Sequence, residues 1–234
     1  MRLRRSDLVF ANCEPLREQM SQYAPDIELL PNAFEMPPAV APNGDVPAEL
    51  AGLGGPIVGY VGNLSSRLDL DLIDRVATAR PGWQIVLIGS AHLSRDVVAL
   101  DRHDNVHLLG VRPYEEAKRY IRHFDVAIVP HRRDPMTDSM NPLKPYVYLA
   151  EGVPVVSTDV GGLGDLREVI AVARDDADFI AQIDAAIGRD PGAMREAVGK
   201  MIRANTWPTR VERIVELVDA AWESEPAGAL ARHG

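Results

Sequence analysis

The chain has 234 residues, of which 46% are hydrophobic and 25% are charged, a balance that suits one large or two small globular domains. Its 34 acidic and 25 basic residues give a formal net charge of -9, which argues against general nucleic-acid binding. The sequence holds a single cysteine, no apolar run near the ~18 residues of a membrane span, and no signal-peptide-like segment after Met1. We therefore expect neither a disulfide scaffold nor a helical membrane protein, and the expected compartment is the cytoplasm.

The first part of the chain predicts a short α/β fragment followed by a connector. Residues 6–10 favour a strand, residues 14–23 a helix, and residues 27–30 a second strand. Residues 35–55 are rich in proline, glycine and alanine, which is typical of a linker between domains.

From residue 56 onward, short β-branched runs alternate with segments of helical periodicity. The runs are almost continuously apolar, as strands covered on both faces are. This alternation predicts a doubly wound, mostly parallel sheet. The predicted strands are 57–61, 84–88, 106–109, 125–129, 153–157 and, more weakly, 169–173, and the predicted helices have apolar faces within 70–77, 114–124, 143–150 and 179–187.

The end of the chain predicts one long helix after Trp207-Pro208. Val211, Ile214, Val215, Val218 and Trp222 fall on one of its faces. We expect this face either to pack against residues 6–30 or to remain free for a partner.

Three loops carry the candidate chemistry, because ligands of doubly wound sheets bind beyond the carboxyl ends of the strands. The first loop contains Gly59 and Gly62, small residues that let backbone N–H groups approach an anion. It lacks the G-x-G-x-x-G pattern of dinucleotide sites, and a tight turn without a ligand is an equal alternative.

The second loop ends in Asn141-Pro142-Leu143-Lys144, where the spacing predicts the start of a helix. The free N–H groups of Leu143 and Lys144, the helix dipole and the Lys144 ammonium would form an anion pocket. From spacing alone, a capped helix with a solvated lysine is the favoured alternative. The third loop, 158–164, contains three glycines and fits a sharp turn or a bound ligand equally.

Other catalytic patterns are absent or weak. His103 and His107 are four residues apart but bracket a strand start, so a metal pair is not expected. His131 follows a predicted strand beside Arg132 and Arg133, where a polar residue could meet a ligand, but a solvated loop is favoured there. The sequence has no His-Glu-x-x-His, Gly-x-Ser-x-Gly or P-loop motif.

Residues 124–130 (Phe-Asp-Val-Ala-Ile-Val-Pro) and 141–156 (Asn-Pro-Leu-Lys-Pro-Tyr-Val-Tyr-Leu-Ala-Glu-Gly-Val-Pro-Val-Val) resemble the C-terminal half of GT-B glycosyltransferases. The closer resemblance is to the retaining group 1 type (family 4) with an Asn-Pro-Leu-Lys motif. The resemblance covers about residues 6–220, with Pro31-Asn32 at the usual interdomain position. It implies a remnant of the N-terminal acceptor domain at 1–34, a linker at 35–55, a Rossmann-like donor domain at 56–205, and a crossover helix with a tail at 206–234.

The resemblance implies a nucleoside-diphosphate sugar as donor and a glycan or lipid-linked acceptor, used in polysaccharide biosynthesis at the inner face of the membrane. No cofactor or metal is expected, because fixed donors and cations would stabilise the leaving diphosphate. The resemblance identifies no catalytic residues. The donor-binding residues that it implies are Gly62 and Asn63 beside the diphosphate, Arg67 facing a phosphate, Gly110 and Arg112 near the base, and Ser139, Asn141, Leu143 and Lys144 at the sugar and phosphates.

Two departures from the family pattern qualify these expectations. The paired glutamates of the family fall at Ser139 and Val147, and a valine cannot accept the ribose hydrogen bonds. That loss costs about 1.5–3 kcal/mol, and Glu151 would replace the carboxylate only if the helix were rotated. A non-catalytic scaffold protein derived from a donor domain is therefore the alternative, with a sugar-nucleotide epimerase as a weaker one.

The second departure is length, since two complete Rossmann-like halves need roughly 300 residues. We expect the acceptor domain to be missing from this chain and the isolated chain to be inactive without it or a partner subunit.

Overall fold

The computed structural model describes residues 6–24, 26–35, 45–91, 95–189, 192 and 195–224. Within them, eight strands and nine α-helices are found. The strands are β1 (Val9–Ala11), β2 (Ile27–Leu29), β3 (Ile57–Val61), β4 (Gln84–Ile88), β5 (Val106–Gly110), β6 (Val126–Val129), β7 (Val155–Thr158) and β8 (Ala171–Ala173). The helices are α1 (Glu14–Met20), α2 (Leu70–Ala79), α3 (Arg95–Val98), α4 (Tyr114–Ile121), α5 (Pro135–Asp138), α6 (Lys144–Ala150), α7 (Asp176–Ala186), α8 (Arg195–Ala204) and α9 (Trp207–Ser224), with 3₁₀ segments at Ala99–Arg102 and Gly161–Glu168.

The central sheet has six strands in the order β5-β4-β3-β6-β7-β8, and every neighbouring pair is parallel. The chain therefore builds outward from β3 to one edge, returns to β6 on the other side of β3, and builds outward again. Connections leave β3 and β6 in opposite directions, which opens a crevice between their carboxyl ends. The predicted doubly wound parallel sheet is confirmed.

Helices cover both faces of the sheet, which explains why the strands are continuously apolar. On one face, α2 and α7 bury Ile73 and Phe179 against the strands. On the other face, α4, α6 and α8 contribute Ile121, Tyr146 and Met201 to a second apolar cluster. The core therefore has two layers, and the carboxyl ends of the strands remain for the loops.

The apolar face of α6 differs from the predicted one. Leu143 precedes the helix and is 43% exposed, and Val147 is only half-buried. Tyr148 is buried instead, because its hydroxyl both accepts from the Val61 N–H (2.9 Å) and donates to the Val61 carbonyl (3.1 Å). A polar aromatic that periodicity alone leaves on the surface thus becomes part of the core.

The last two strands begin two residues later than predicted. Pro154 precedes β7 and has no N–H for the sheet, although its carbonyl accepts from Ala127 (2.9 Å). Val169 is the C-terminal cap of the second 3₁₀ segment, so β8 begins only at Ala171.

Residues 6–34 form β1, α1 and β2, close to the predicted strand, helix and strand. The two strands pair in parallel, and α1 packs on the second 3₁₀ segment. This packing is close, since a Cβ on Gly161 would lie 2.9 Å from Cγ of Pro15. That residues 1–34 are the remnant of an acceptor domain stays a prediction.

The predicted linker is only partly a connector. Residues 36–44 lie outside the described residues, whereas residues 45–55 pack on the domain. Leu50 is buried in the apolar cluster beside Tyr120, and Glu49 accepts hydrogen bonds from the Tyr120 hydroxyl (3.0 Å) and from Arg112 (2.9 Å). These two side chains hold residues 45–55 on the domain, and the role of residues 35–55 as a linker between domains stays a prediction.

The predicted C-terminal helix is present as α9. Arg210 joins it to the N-terminal segment by donating to the Pro31 carbonyl (2.9 Å). Its apolar stripe remains open to solvent, with exposed fractions between 45% and 68%, and consists of Trp207, Val211, Val215, Val218 and Trp222.

Among the described residues, no helix combines the length and the apolar character that crossing a membrane requires.

Candidate functional site

The candidate site lies at the carboxyl ends of β3 and β6, where the sheet order reverses. The side chain of Lys144 crosses directly over Gly62, so a Cβ at Gly62 would overlap Cε of Lys144. Gly62 has a φ of 152°, a conformation that disfavours any other residue. The Lys144 ammonium lies 5.5 Å from the ring centroid of Tyr60. A glycine at position 62 is thus what lets the lysine side chain reach the end of β3.

Two cations lie together in this crevice. Burial, and then the charge of Arg67, lower the pKa of Lys144. Among the described residues, neither cation forms an ion pair with a carboxylate, and the Arg67 guanidinium contacts only Sδ of Met140, at 3.7 Å. In a protein whose net charge is -9, this local excess of positive charge marks a place for an anion.

His131 lies beside these cations and is not in the solvated loop that was predicted for it. The residue is 3% exposed, because its backbone pairs with Leu68 and the Arg132 N–H donates to the Arg67 carbonyl (2.8 Å). Burial, reinforced by the charges of Lys144 and Arg67, lowers the pKa of His131 to about 4. The imidazole is therefore neutral near pH 7 and adds no third charge to the crevice.

Three glycines line the carboxyl edge of the sheet, one after each of β3 and β4 and one at the end of β5. The Gly62 N–H donates to the Ile88 carbonyl (2.8 Å), and the Gly89 N–H donates to the Gly110 carbonyl (2.9 Å). A Cβ on Gly89 would overlap the carbonyl oxygen of Gly62. The glycines at positions 62 and 89 therefore let neighbouring groups pack closely against the backbone at this edge. Sequence reasoning missed Gly89, although its place directly after a strand matches that of Gly62.

Tyrosine side chains hold the first loop in place. The Tyr148 hydroxyl fixes the end of β3 through its two bonds to Val61, and the Tyr60 hydroxyl donates to the Asn63 carbonyl (3.3 Å). The Asn63 side chain itself is exposed. In the same loop, Oγ of Ser65 is buried and has no hydrogen-bond partner in the structure. Sequence reasoning did not identify the two tyrosines, whose role depends on partners in distant elements.

Asn141 has a different role from the predicted one. Its Oδ1 accepts from the Asn32 N–H (2.9 Å), its Nδ2 donates to the Gly162 carbonyl (3.0 Å), and its own carbonyl accepts from Nδ2 of Asn32 (2.9 Å). The side chain is buried and its hydrogen-bonding groups are used within the fold. It joins the second loop to the N-terminal segment and to the glycine loop.

Among the described residues, the other predicted residues of the second loop form no side-chain hydrogen bond with Gly62, Arg67 or Lys144. The Ser139 hydroxyl donates to the Pro135 carbonyl (2.9 Å), and Leu143 is exposed. The predicted helix start at Asn141 is wrong, since α6 begins at Lys144 and has seven residues. Of the four residues predicted in this loop, the structure brings only Lys144 to Gly62 and Arg67.

The segment predicted to lie near the base offers backbone rather than side chain. Gly110 is exposed, with a φ of 70°. The Arg112 guanidinium is held by Glu49 (2.9 Å) and Glu116 (3.3 Å). Because both carboxylates occupy this cation, Arg112 is not available to a phosphate in the way that Arg67 is.

Val147, which stands where the family has a glutamate, faces a narrow crevice on the α4 side. Val147 lines it together with Tyr114 and Lys118. Glu151, the C-terminal cap of α6, lines the same crevice, but its Oε2 pairs with Nε of Arg122 at 2.6 Å and, among the described residues, its buried Oε1 has no partner. Because this carboxylate is already paired within the fold, it does not replace a carboxylate at position 147.

Within the described part of the chain, no three His, Cys, Asp or Glu side chains come together as a metal site would require. That donor binding needs neither metal nor cofactor stays a prediction.

The fold agrees with the comparison to known families. Residues 55–190 match the family model of glycosyl transferases group 1. Since the match spans more than half of the chain, the chain belongs to this family and carries a glycosyltransferase domain. It is 26% identical over 174 residues to TuaH of Bacillus subtilis (strain 168), assigned as a teichuronic acid biosynthesis glycosyltransferase, covering 71% of this chain and 44% of that protein.

Solved structures share the fold. Sucrose-phosphate synthase from Thermosynechococcus elongatus superposes with a TM-score of 0.72 at 20% identity, covering 94% of this chain and 59% of that one. Anabaena Alr3699/HepE, solved with UDP and glucose, superposes with a TM-score of 0.73 at 17% identity, covering 92% of this chain and 64% of that one. At these identities the likeness establishes the α/β, Rossmann-like fold alone. The chain spans less than two thirds of the length of each of these relatives.

Proposed function

We propose that the chain binds a nucleoside-diphosphate sugar between the carboxyl ends of β3 and β6 and is the C-terminal, donor-binding half of a glycosyltransferase. The observation that carries this proposal is the Lys144 side chain crossing Gly62 beside Arg67, with no carboxylate paired to either cation among the described residues. Hydrogen bonds from cations to phosphate are among the strongest in proteins. The same fixed charges would stabilise the leaving diphosphate when the sugar is transferred.

The reaction we propose is transfer of the sugar, with retention, to a hydroxyl of a glycan or lipid-linked acceptor. The Asn-Pro-Leu-Lys motif and the name of the Bacillus subtilis relative support a role in polysaccharide biosynthesis. The Anabaena relative, which was solved with UDP-glucose, supports a UDP-sugar donor. We place this reaction in the cytoplasm, at the inner face of the membrane.

Acceptor-binding groups would come from a second domain or a partner subunit. The open stripe of α9 supports this part of the proposal, because it is a row of large apolar side chains beside the N-terminal segment.

Val147 favours a second candidate function, a non-catalytic binding or scaffold protein built on a donor domain. A valine offers no acceptor to ribose hydroxyls, and Glu151 is occupied by Arg122. The two functions differ in whether the chain still binds a nucleotide.

Calorimetric titration with UDP, GDP and UDP-glucose, with and without a metal chelator, tests the proposal. We expect binding in both conditions, and we expect Lys144→Met to weaken it by roughly ten- to a hundredfold, the value of one charge-assisted hydrogen bond. Lys200→Met, which removes the same charge from an exposed position on α8, is the matched control and should bind as the parent does. No binding at millimolar nucleotide would establish the scaffold alternative, and equal affinity of both variants would show that the site is misplaced.

A further inference from the structure

A second cavity, of about 440 Å³, opens beyond the carboxyl ends of β6 and β7 on the side of α2 and α7. Its volume is in the range of small-molecule sites, which is roughly 300–1,000 Å³. None of Gly62, Arg67 and Lys144 lines it, so it is distinct from the donor crevice. Its walls are Asp69, His131, Arg132, Arg133, Asp134, Thr158 and Asp176.

The basic side chains of this cavity keep donors for a ligand. Nε of Arg132 donates to the Leu68 carbonyl (3.0 Å), and a terminal nitrogen of Arg133 donates to the Ala173 carbonyl (2.8 Å). Each guanidinium is thereby anchored by one backbone oxygen, and neither is ion-paired to a carboxylate within the described residues. The His131 ring is 3% exposed and has no hydrogen-bond partner among those residues. A neutral imidazole in this position presents one donor and one acceptor.

The acidic side chains are partly committed to the fold. Oδ1 of Asp69 accepts from the Leu72 N–H at the start of α2 (2.9 Å). Oδ1 of Asp134 caps α5, and Asp176 pairs with Arg75 at 2.8 Å. In the described part of the chain, the second carboxylate oxygens of Asp69 and Asp134 remain as acceptors.

Both donors and acceptors therefore line the cavity. Its two guanidinium groups are balanced by the two carboxylates that form no ion pair among the described residues, since the third, Asp176, is paired with Arg75. A simple anion gains little in such a place, because it would face carboxylates as well as arginines. A sugar ring fits the arrangement, since each hydroxyl both donates and accepts.

We infer that this cavity binds a hydroxyl-rich sugar unit and that the unit belongs to the acceptor, which would make the acceptor a glycan. The assignment to the acceptor rests on the proposed function and deepens it. His131 links the two sites, since it lines the cavity while lying within electrostatic range of Lys144 and Arg67. A sugar bound here would lie next to the donor crevice.

Nuclear magnetic resonance of the ¹⁵N-labelled full chain tests this inference. The probes are the methyl glycosides of glucose, galactose and N-acetylglucosamine, with inorganic phosphate as a separate titration. We expect at least one glycoside to give saturable shifts at the amides of residues 132–134 and 158. Arg132→Met, and independently Arg133→Met in case the first variant folds poorly, should weaken this binding about tenfold while UDP affinity is kept. Arg119→Met, an exposed arginine on α4, is the matched control.

The outcomes separate this inference from the proposed function. If UDP binds and none of the three glycosides shifts these amides, the inference is overturned and the donor site stands. If a glycoside binds and UDP does not, the sugar site stands, while the donor site and the assignment to the acceptor fail. If phosphate alone shifts these amides, the cavity is an anion site and the inference is overturned.

Discussion

Asn141→Ala distinguishes a structural side chain from a ligand contact at the centre of the Asn-Pro-Leu-Lys motif. The family resemblance places Asn141 at the donor, whereas in the structure its amide joins the Asn32 N–H to the Gly162 carbonyl. Alanine removes both hydrogen bonds. It leaves a partly buried donor, the Asn32 N–H, and a buried acceptor, the Gly162 carbonyl, without these partners.

The expected loss of stability follows from these two bonds. A hydrogen bond contributes about 1 kcal/mol, and a buried group left unpaired costs about 1–3 kcal/mol, so we expect Asn141→Ala to lower the free energy of unfolding by about 2–4 kcal/mol. For a chain of this size each kcal/mol lowers Tm by roughly 2–4 °C. Asn63→Ala is the control, because the Asn63 side chain is exposed and only its carbonyl is hydrogen-bonded. It should change stability by less than about 0.5 kcal/mol.

Urea unfolding followed by circular dichroism measures both variants, and UDP titration is run alongside. The structural role predicts a large difference in stability between Asn141→Ala and Asn63→Ala. If Asn141→Ala is as stable as the parent but loses its affinity for nucleotide, Asn141 contacts the donor and the role derived from the hydrogen bonds is refuted.

Three further predictions concern the carboxyl edge of the sheet. Gly89→Ala should lose at least about 1 kcal/mol more stability than Gly110→Ala, because both have positive φ but only the first overlaps the Gly62 carbonyl; equal losses would contradict this. Between pH 6.5 and 4, the free energy of unfolding should fall by about 3 kcal/mol, because His131 binds a proton in the unfolded chain but stays neutral when buried in the folded one. His131→Gln should flatten that slope in acid titrations of unfolding. Val147→Glu should tighten UDP binding about ten- to a hundredfold by calorimetry, and an unchanged affinity would show that residue 147 does not face the ribose.

The sheet could be predicted from the sequence because the pattern that identifies each strand lies within a few consecutive residues. Strands covered by helices on both faces are continuous apolar runs, so two of the six predicted runs match their strands at both ends, and the other four differ by at most two residues at an end. The last of them begins two residues late because Val169 closes a 3₁₀ segment. Strands that follow one another within β3–β5 and within β6–β8 are also neighbours in the sheet. The sequence alone does not show that β3 and β6 are neighbours.

The site could be predicted only in part, because the role of each side chain depends on partners that lie far away in the sequence. An asparagine suits a helix cap, a ligand contact or a bridge between segments, and Asn141 becomes a bridge through Asn32, 109 residues earlier. His131 was expected in a solvated loop at the end of a strand. Its backbone pairing with Leu68 buries it instead. The structure brings Lys144 to Gly62, and its role toward a donor stays a prediction.

Lys144 gives the sharpest test of why the crevice exists. Burial and the nearby Arg67 both disfavour its charged form, and the described residues supply no carboxylate in return. A cation held in this way destabilises the empty protein. Lys144→Met keeps most of the buried stem and removes the charge, so it should raise the free energy of unfolding without nucleotide by about 0.5–2 kcal/mol while it weakens UDP binding. Urea unfolding with and without UDP measures both effects. A loss of stability in the nucleotide-free variant would mean that Lys144 supports the fold, and its position over Gly62 would then say nothing about a diphosphate.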